Sequence, residues 1–374
     1  MKKYKEPILF LAIICGIFGY LAMRMGLSNM LNTMMNTAYR LLMDTAFYLL
    51  AISVVMSAFA QMLNEFGVVN MLIRLLSPLM RPIYNLPGAA SLGIVLTYLT
   101  DNPAILSIAD NKEYRSYFKT YQMPALTNLG TSFGMGLIVT TFVMGIAPHN
   151  GENLVKAALF GNLGAVIGSI ISTRIMLHFC KKRFGAEDSA KAQGAFIETK
   201  QDEKKSVGAR ILGGIIDGGA KGVELGLSII PGVLIVCTFV FMITNGPSES
   251  GAYTGAAYEG IGLLPQIAQK LNFILQPLFG FSSPKAISVP ITSLGAAGAS
   301  LSIMKTLYTT GFANAHDIAV FVSMAMCWSG YLSTHVSMMN SLGYKEMTGK
   351  AILSHTIGGL CAGIITNWLF ALII

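Results

Sequence analysis

Long apolar runs separated by short basic connections make up this chain, and one run is interrupted unlike the others. From Gly88 to Asn111 it reads GAASLGIVLTYLTDNPAILSIADN: an apolar arm, a polar break Thr100-Asp101-Asn102-Pro103, and a second apolar arm. Neither arm reaches the roughly 20 residues that cross about 30 Å of hydrocarbon, and Pro103 disfavours helical geometry at Asn102. The pattern predicts a re-entrant helical hairpin over 88–111. Non-helical backbone survives at membrane depth where it is buried in protein or lines a wet cavity. The tip is therefore expected to form half of a transport site.

Around this stretch the chain takes a repeated order. A first helix over about 8–24 is expected to be retained, because Met23-Arg24-Met25 offers no small-residue cleavage site. An amphipathic connection, Leu27 to Arg40, leads to a span from Leu41 to Leu63. Residues 64–87, with Arg74, Arg81, Pro78 and Pro82, suit a helix lying in the interface. After the hairpin, Pro124 opens a third span in which Thr127, Asn128, Gly130, Thr131, Ser132 and Gly134 crowd together, a poor helix core that predicts partly unwound backbone. A fourth span covers about 153–179, and 184–208 is a hydrophilic linker. Then a second copy begins: a glycine-rich helix from Ala209 running into a span to Thr244, an interfacial piece over 261–279, a hairpin over about 283–306, and apolar runs 317–339 and 351–374. Ser77-Pro78-Leu79-Met80 before one hairpin answers Gln276-Pro277-Leu278-Phe279 before the other. The organisation expected is a first repeat over 1–183, a cytoplasmic linker over 184–208 and a second, inverted repeat over 209–374.

Composition agrees with a polytopic, all-α membrane protein: 374 residues, 53% hydrophobic and 12% charged, against about 25% charged in soluble domains. The net charge of +8 lies mostly in short connections, which favours orientation in the bilayer over nucleic-acid binding. With a cytoplasmic amino terminus, the extra first helix set aside, three spans in each repeat invert the second repeat and leave the carboxyl terminus outside. On that map 20 of the 26 Lys and Arg face the cytoplasm, as the positive-inside rule requires of a bacterial-type inner membrane protein. Five scattered cysteines show no CxxC pair and read as packing residues. No HExxH, GxSxG or P-loop is present, so an enzyme is not expected.

The candidate chemistry lies at the chain breaks. Two hairpins entering from opposite faces place their tips near the midplane, where transporter sites are built from broken helices. Candidates for binding solute are Thr100, Asp101 and Asn102 in the first hairpin, Thr292 and Ser293 in the second, and Ser329, Ser333 and His335 in the last interrupted run. A carboxylate such as Asp101 at mid-membrane is usually functional, the alternative being a cap for the second arm. Asn128, Gly130, Thr131 and Ser132 offer hard oxygens for sodium, whereas proton coupling would fall to Asp101 or His335. A lone histidine in an apolar helix is more often a packing residue. Asp217, Lys221 and Glu224 stand at i, i+4 and i+7 and are expected to pair with one another.

With these hairpins and halves in hand, the arrangement resembles the nucleoside-recognition or Gate-domain membrane proteins, which include concentrative nucleoside transporters and spore-maturation membrane proteins. The resemblance covers about 41–180 and 223–374. It implies that Thr100, Asp101 and Asn102 contact the solute and that Asn128 to Ser132 hold an ion, with Thr-Asp-Asn standing where the transporters carry Gln-Thr-Glu. The expectation is an elevator-type, sodium-coupled secondary transporter of a small polar solute, working as a homo-oligomer in the lipid bilayer, with no cofactor beyond the sodium ion. A non-transporting membrane scaffold is the alternative.

Overall fold

A computed structural model of the chain describes residues 4–102, 104–105, 112–148, 151–185, 206–248 and 250–373. Among these residues there are helices and no strands. The first half holds α1 (Lys5–Met25), α2 (Leu27–Leu41), α3 (Phe47–Glu65), α4 (Val68–Leu79), α5 (Ala90–Leu99), α6 (Ala125–Thr131), α7 (Gly136–Met144) and α8 (Leu154–Phe184). The second holds α9 (Val207–Pro231), α10 (Thr238–Thr244), α11 (Leu263–Lys270), α12 (Asn272–Phe279), α13 (Ser288–Gly295), α14 (Ala297–Thr309), α15 (Ala315–Cys327), α16 (Tyr331–Ser341) and α17 (Thr348–Ile373). Among the described residues, six helical stretches are long and apolar enough to cross a bilayer, so the chain is a multi-pass membrane protein. Most of the expected linker, 186–205, and the second arm of the first hairpin beyond Ile105 lie outside the described residues.

One expected connection is itself helix. Leu27–Arg40 continues through a π-helical turn, Leu42–Ala46, into α3, giving an uninterrupted stretch of 39 residues. Its polar stripe docks a loop of the second half rather than ending the helix. Asn29 and Asn36 donate to Tyr253 O and Gly255 O at 2.9 and 2.8 Å, and Thr37 Oγ1 accepts from Tyr258 N at 2.8 Å. Within that loop the buried carboxylate of Glu259 accepts the amides of Thr254 and Gly255 at 3.0 to 3.1 Å. The buried carboxylate of this loop thus finds its partners within the loop.

Left-handed backbone positions recur in the two halves with a constant spacing. Each interfacial helix starts after a left-handed residue, Gly67 (φ 75°) and Gly262 (φ 63°), and ends at another, Asn85 (φ 58°) and Gly280 (φ 67°). Each broken span restarts at a third, Met135 (φ 58°) and Gly330 (φ 62°). All three pairs are 195 residues apart (262 − 67, 280 − 85, 330 − 135). Pro277 therefore corresponds to Pro82, not to Pro78 as the local wording of the sequence suggests. Both prolines stand three residues before the left-handed cap, and the sequence match is off by one helical turn.

Glycines bring the long helices together. Gly214, Gly218, Gly222 and Gly226 of α9 lie on α3, where a Cβ on Gly218 would meet Ala58 Cα at 2.6 Å and one on Gly222 would meet Ser53 O at 2.5 Å. At the crossing of α8 with α17, a Cβ on Gly168 would stand 2.6 Å from Gly358 O, and one on Gly358 the same distance from Gly168 O. Such close backbone approach replaces the hydrophobic drive that lipid cannot supply.

Candidate functional site

Four chain breaks meet in the interior: Thr100-Asp101-Asn102 after α5, Ser132 to Met135 between α6 and α7, Ala296 between α13 and α14, and Trp328 to Gly330 between α15 and α16. Asn102, 1% exposed, crosses from the first half to the second and donates from Nδ2 to Ser329 O at 2.6 Å. Its Oδ1 lies 1.7 Å from where a Cβ on Gly134 would stand, so only glycine admits the tip there. The second tip closes on its own half, with Gly330 N donating to Ser293 O at 3.0 Å. A Cβ on Gly330 would meet Gly295 O at 3.2 Å. Thr292 turns its hydroxyl back to Ser288 O at 2.7 Å, and Ser333 is exposed with its hydroxyl on Gly330 O at 3.2 Å.

Asp101 and Thr100 face a cavity of about 500 Å³ between the first tip, α3 and α9. Asp101 Oδ1 accepts the amide of Asn102 at 2.8 Å, and Thr100 Oγ1 donates to Leu96 O at 2.6 Å. Gln61, Asn64, Lys221 and Glu224 line the facing walls. Lys221 does not pair along its own helix as the sequence spacing suggests. Its Nζ donates across to Gln61 Oε1 at 3.2 Å, and among the described residues the ion pair is Arg210 with Glu65, at 4.0 Å. The reason is the glycine seam, which lays α9 so close to α3 that the neighbouring helix is within reach of the ammonium.

The expected ion cluster lies deeper than the tip. Asn128 is fully buried and donates from Nδ2 to Ser172 Oγ at 2.9 Å and to Ala351 O at 3.0 Å, while its Oδ1 accepts from Thr127 at 3.3 Å. Ser132 donates to Asn128 O at 2.9 Å, and Gly130 lies against Ile105. Thr131 Oγ1 is the member of this cluster that is buried with no hydrogen-bond partner, a hard oxygen of the kind sodium takes. The second break is aromatic. His355 Nε2 bonds Cys327 O, which puts the proton on Nε2, so Nδ1 accepts from Ser172 Oγ at 2.9 Å. His335 stands with its ring 4.7 Å from that of His355. Its Nδ1 faces Tyr331 O at 3.1 Å, which leaves Nε2 a buried nitrogen without a partner.

Of the residues the sequence singles out, the structure brings together Asn102, Ser293 and Ser329 at the junction and Thr100 with Asp101 at the cavity, but not Asn128 or His335 with either group. The sequence reading passes over Gln61, Asn64, Ser172 and His355. The available signals were an amide inside an apolar span and a second histidine in the last one.

No curated protein matches the sequence. The fold is similar to three solved forms of CNTnw, a concentrative nucleoside transporter. Two are substituted forms in an outward-facing state, at 14% and 13% identity with TM-scores of 0.52 and 0.54, over 87% and 88% of this chain and 76% of theirs. The third is an intermediate state at 12% identity and TM-score 0.53, over 85% of this chain and 75% of that one. In residues 46–179 the chain matches the nucleoside-recognition family called Gate, and it carries that segment in an all-helical fold similar to that of CNTnw.

Proposed function

We infer that the chain is a secondary transporter of a small polar solute of the nucleoside type. The observation that carries this reading is the convergence of four helix breaks, the first of which opens Thr100 and Asp101 onto a cavity shared with Gln61, Asn64, Lys221 and Glu224, in a protein of membrane-spanning helices. Chain breaks inside a membrane protein need a polar use, and broken helices at a repeat interface are where transporters hold solute. The Gate match and the likeness to CNTnw support the same reading.

In this proposal the two repeats are inverted in the membrane, and the tips with the broken spans move as a body against α3 and α9. Sodium would be held at Thr131, with Asn128 and Ser132 as neighbours. A proton is the second reading, favoured by the buried, unpartnered Nε2 of His335. Uptake of labelled uridine or adenosine into proteoliposomes is expected under an imposed sodium gradient. Asp101→Asn should abolish it while shifting stability by less than about 1 kcal/mol, since removing a charge from the membrane interior lowers the insertion cost. Uptake that persists in Asp101→Asn overturns the assignment of the site, and uptake driven by a pH gradient without sodium overturns the coupling. Inversion is tested separately by cysteines at Ser189 and Ser250, which should react with impermeant thiol reagents from the cytoplasmic and the outer side respectively.

A further inference from the structure

The cavity below Asp101 has a second wall that no part of the broken-helix junction supplies. On α3 the polar residues Ser57, Gln61 and Asn64 stand at i, i+4 and i+7. On α9 Lys221, Glu224 and Ser228 stand at i, i+3 and i+7. Both sets fall on one helix face and open onto the cavity that holds Thr100 and Asp101. These helices belong to stretches apolar enough to span a bilayer, where an exposed charge is expensive unless it meets water or a partner. Lys221 and Glu224 are both exposed, and among the described residues neither forms an ion pair, nor does Asp101. Lys221 holds one hydrogen bond, to Gln61, and Asn64 Oδ1 is a buried acceptor without a partner. A lipid-facing side would not retain these groups. A wet solute cavity would use them.

We propose that Gln61, Lys221 and Glu224 form a fixed wall of the solute site, opposite the wall made by Thr100 and Asp101, and that this wall selects the solute by hydrogen bonding and charge. Two carboxylates and one ammonium give the cavity a net charge of about −1 at neutral pH. It therefore accepts neutral or cationic polar solutes and rejects anions. This rests on the transport reading and adds to it in a specific way: the wall lies on helices outside the four breaks, so the site is complete only when the first tip stands against α3 and α9, and a movement of the tip dismantles it.

The test is equilibrium binding of labelled uridine, adenosine and uridine monophosphate to the purified full-length chain in nanodiscs. Uridine or adenosine should bind and the monophosphate should not. Lys221→Gln and Glu224→Gln, both exposed positions that leave the glycine seam intact, should each weaken binding about tenfold or more, as expected for bonds to charged groups. Glu224→Gln should also lessen the discrimination against the monophosphate. As a second measurement, Ser228→Cys should react with a thiol reagent faster than the parent chain does, and saturating uridine or adenosine should slow that reaction. Binding lost in Asp101→Asn but unchanged in both wall variants, with no protection at position 228, overturns the wall while the transport site stands. If neither nucleoside binds the unaltered chain, the solute reading falls and the wall with it.

Discussion

The break between α6 and α7 and the break between α15 and α16 lie 195 residues apart and restart their helices from the same left-handed backbone, at Met135 and Gly330, yet their surroundings differ in kind. Around the first stand hydroxyls and an amide, Asn128, Thr131 and Ser132, with Gly134 giving way to the Asn102 side chain. Around the second stand rings: Tyr331 lies 5.2 Å from His355, His335 lies 4.7 Å from His355, and the Trp328 indole covers Gly359. Ser329 occupies the place of Gly134. The two breaks share a left-handed restart, and their side chains differ: the first is rich in oxygens and the second is aromatic and braced. Both are tied through Ser172, which accepts from Asn128 and donates to His355.

The contrast can be broken most severely at Gly134. A valine there drives a Cβ into Asn102 Oδ1, and overpacking a tight junction costs about 1–3 kcal/mol or more. Thermal unfolding in detergent should show that loss together with abolished uptake. Ser329→Val, at the matching place where a Cβ already fits, should cost less. Equal losses would mean that the two breaks are not distinct.

Next in size is the brace. His355→Ala leaves Ser172 and Cys327 O short of partners, for an expected cost of about 1–3 kcal/mol. Asn128→Ala removes bonds on the other side of Ser172 and should cost about 1–2 kcal/mol. Denaturation midpoints that reverse this order would make the first break the braced one.

A smaller effect is expected at the tip itself. Asn102→Ala loses the 2.6 Å bond to Ser329 O but also removes an orphaned buried oxygen. The net change should stay near 1 kcal/mol, with a much larger fall in uptake because the two halves are uncoupled. A stability loss beyond that of His355→Ala would show that the contact holds the fold rather than the site. The smallest effect belongs to the interfacial caps. Asn85→Gly should change stability by no more than about 0.5 kcal/mol, since glycine takes a left-handed cap without strain. Gly280→Ala should cost more, because its Cβ would meet Asn367 Oδ1 at 2.4 Å.

Much of the architecture was legible because it rests on local rules. Apolar run lengths mark the spans, and the cluster from Thr127 to Gly134 marks a break whose left-handed turn lies at Met135, one residue beyond it. The first tip was legible from Thr100 to Pro103 for the same reason. What escaped depends on partners far away in the chain. Nothing near Lys221 indicates that α3 will pass close enough to offer Gln61, and nothing near Asn128 indicates that its amide will be taken by α8 and α17. The amphipathic stripe of α2 was visible, but a stripe shows that a face will be covered without saying by what. Here the cover is the loop 253–259, more than two hundred residues later.

The four glycines of α9 carry a further consequence. Spaced four residues apart, they form notches separated by about 6 Å along the helix axis, and the α3 backbone approaches closest at the middle two, Gly218 and Gly222, and less closely at Gly226 and Gly214. Such a seam is self-similar in its spacing: slid by one notch, it would again set glycines against its neighbour. Packing alone therefore leaves the axial alignment of the two helices degenerate. The degeneracy is removed by features that occur once, the Arg210 guanidinium on Glu65 O and over the Phe66 ring, and the Lys221 bond to Gln61. The seam works as a ruler with identical graduations, and those few polar pins state which graduation is zero.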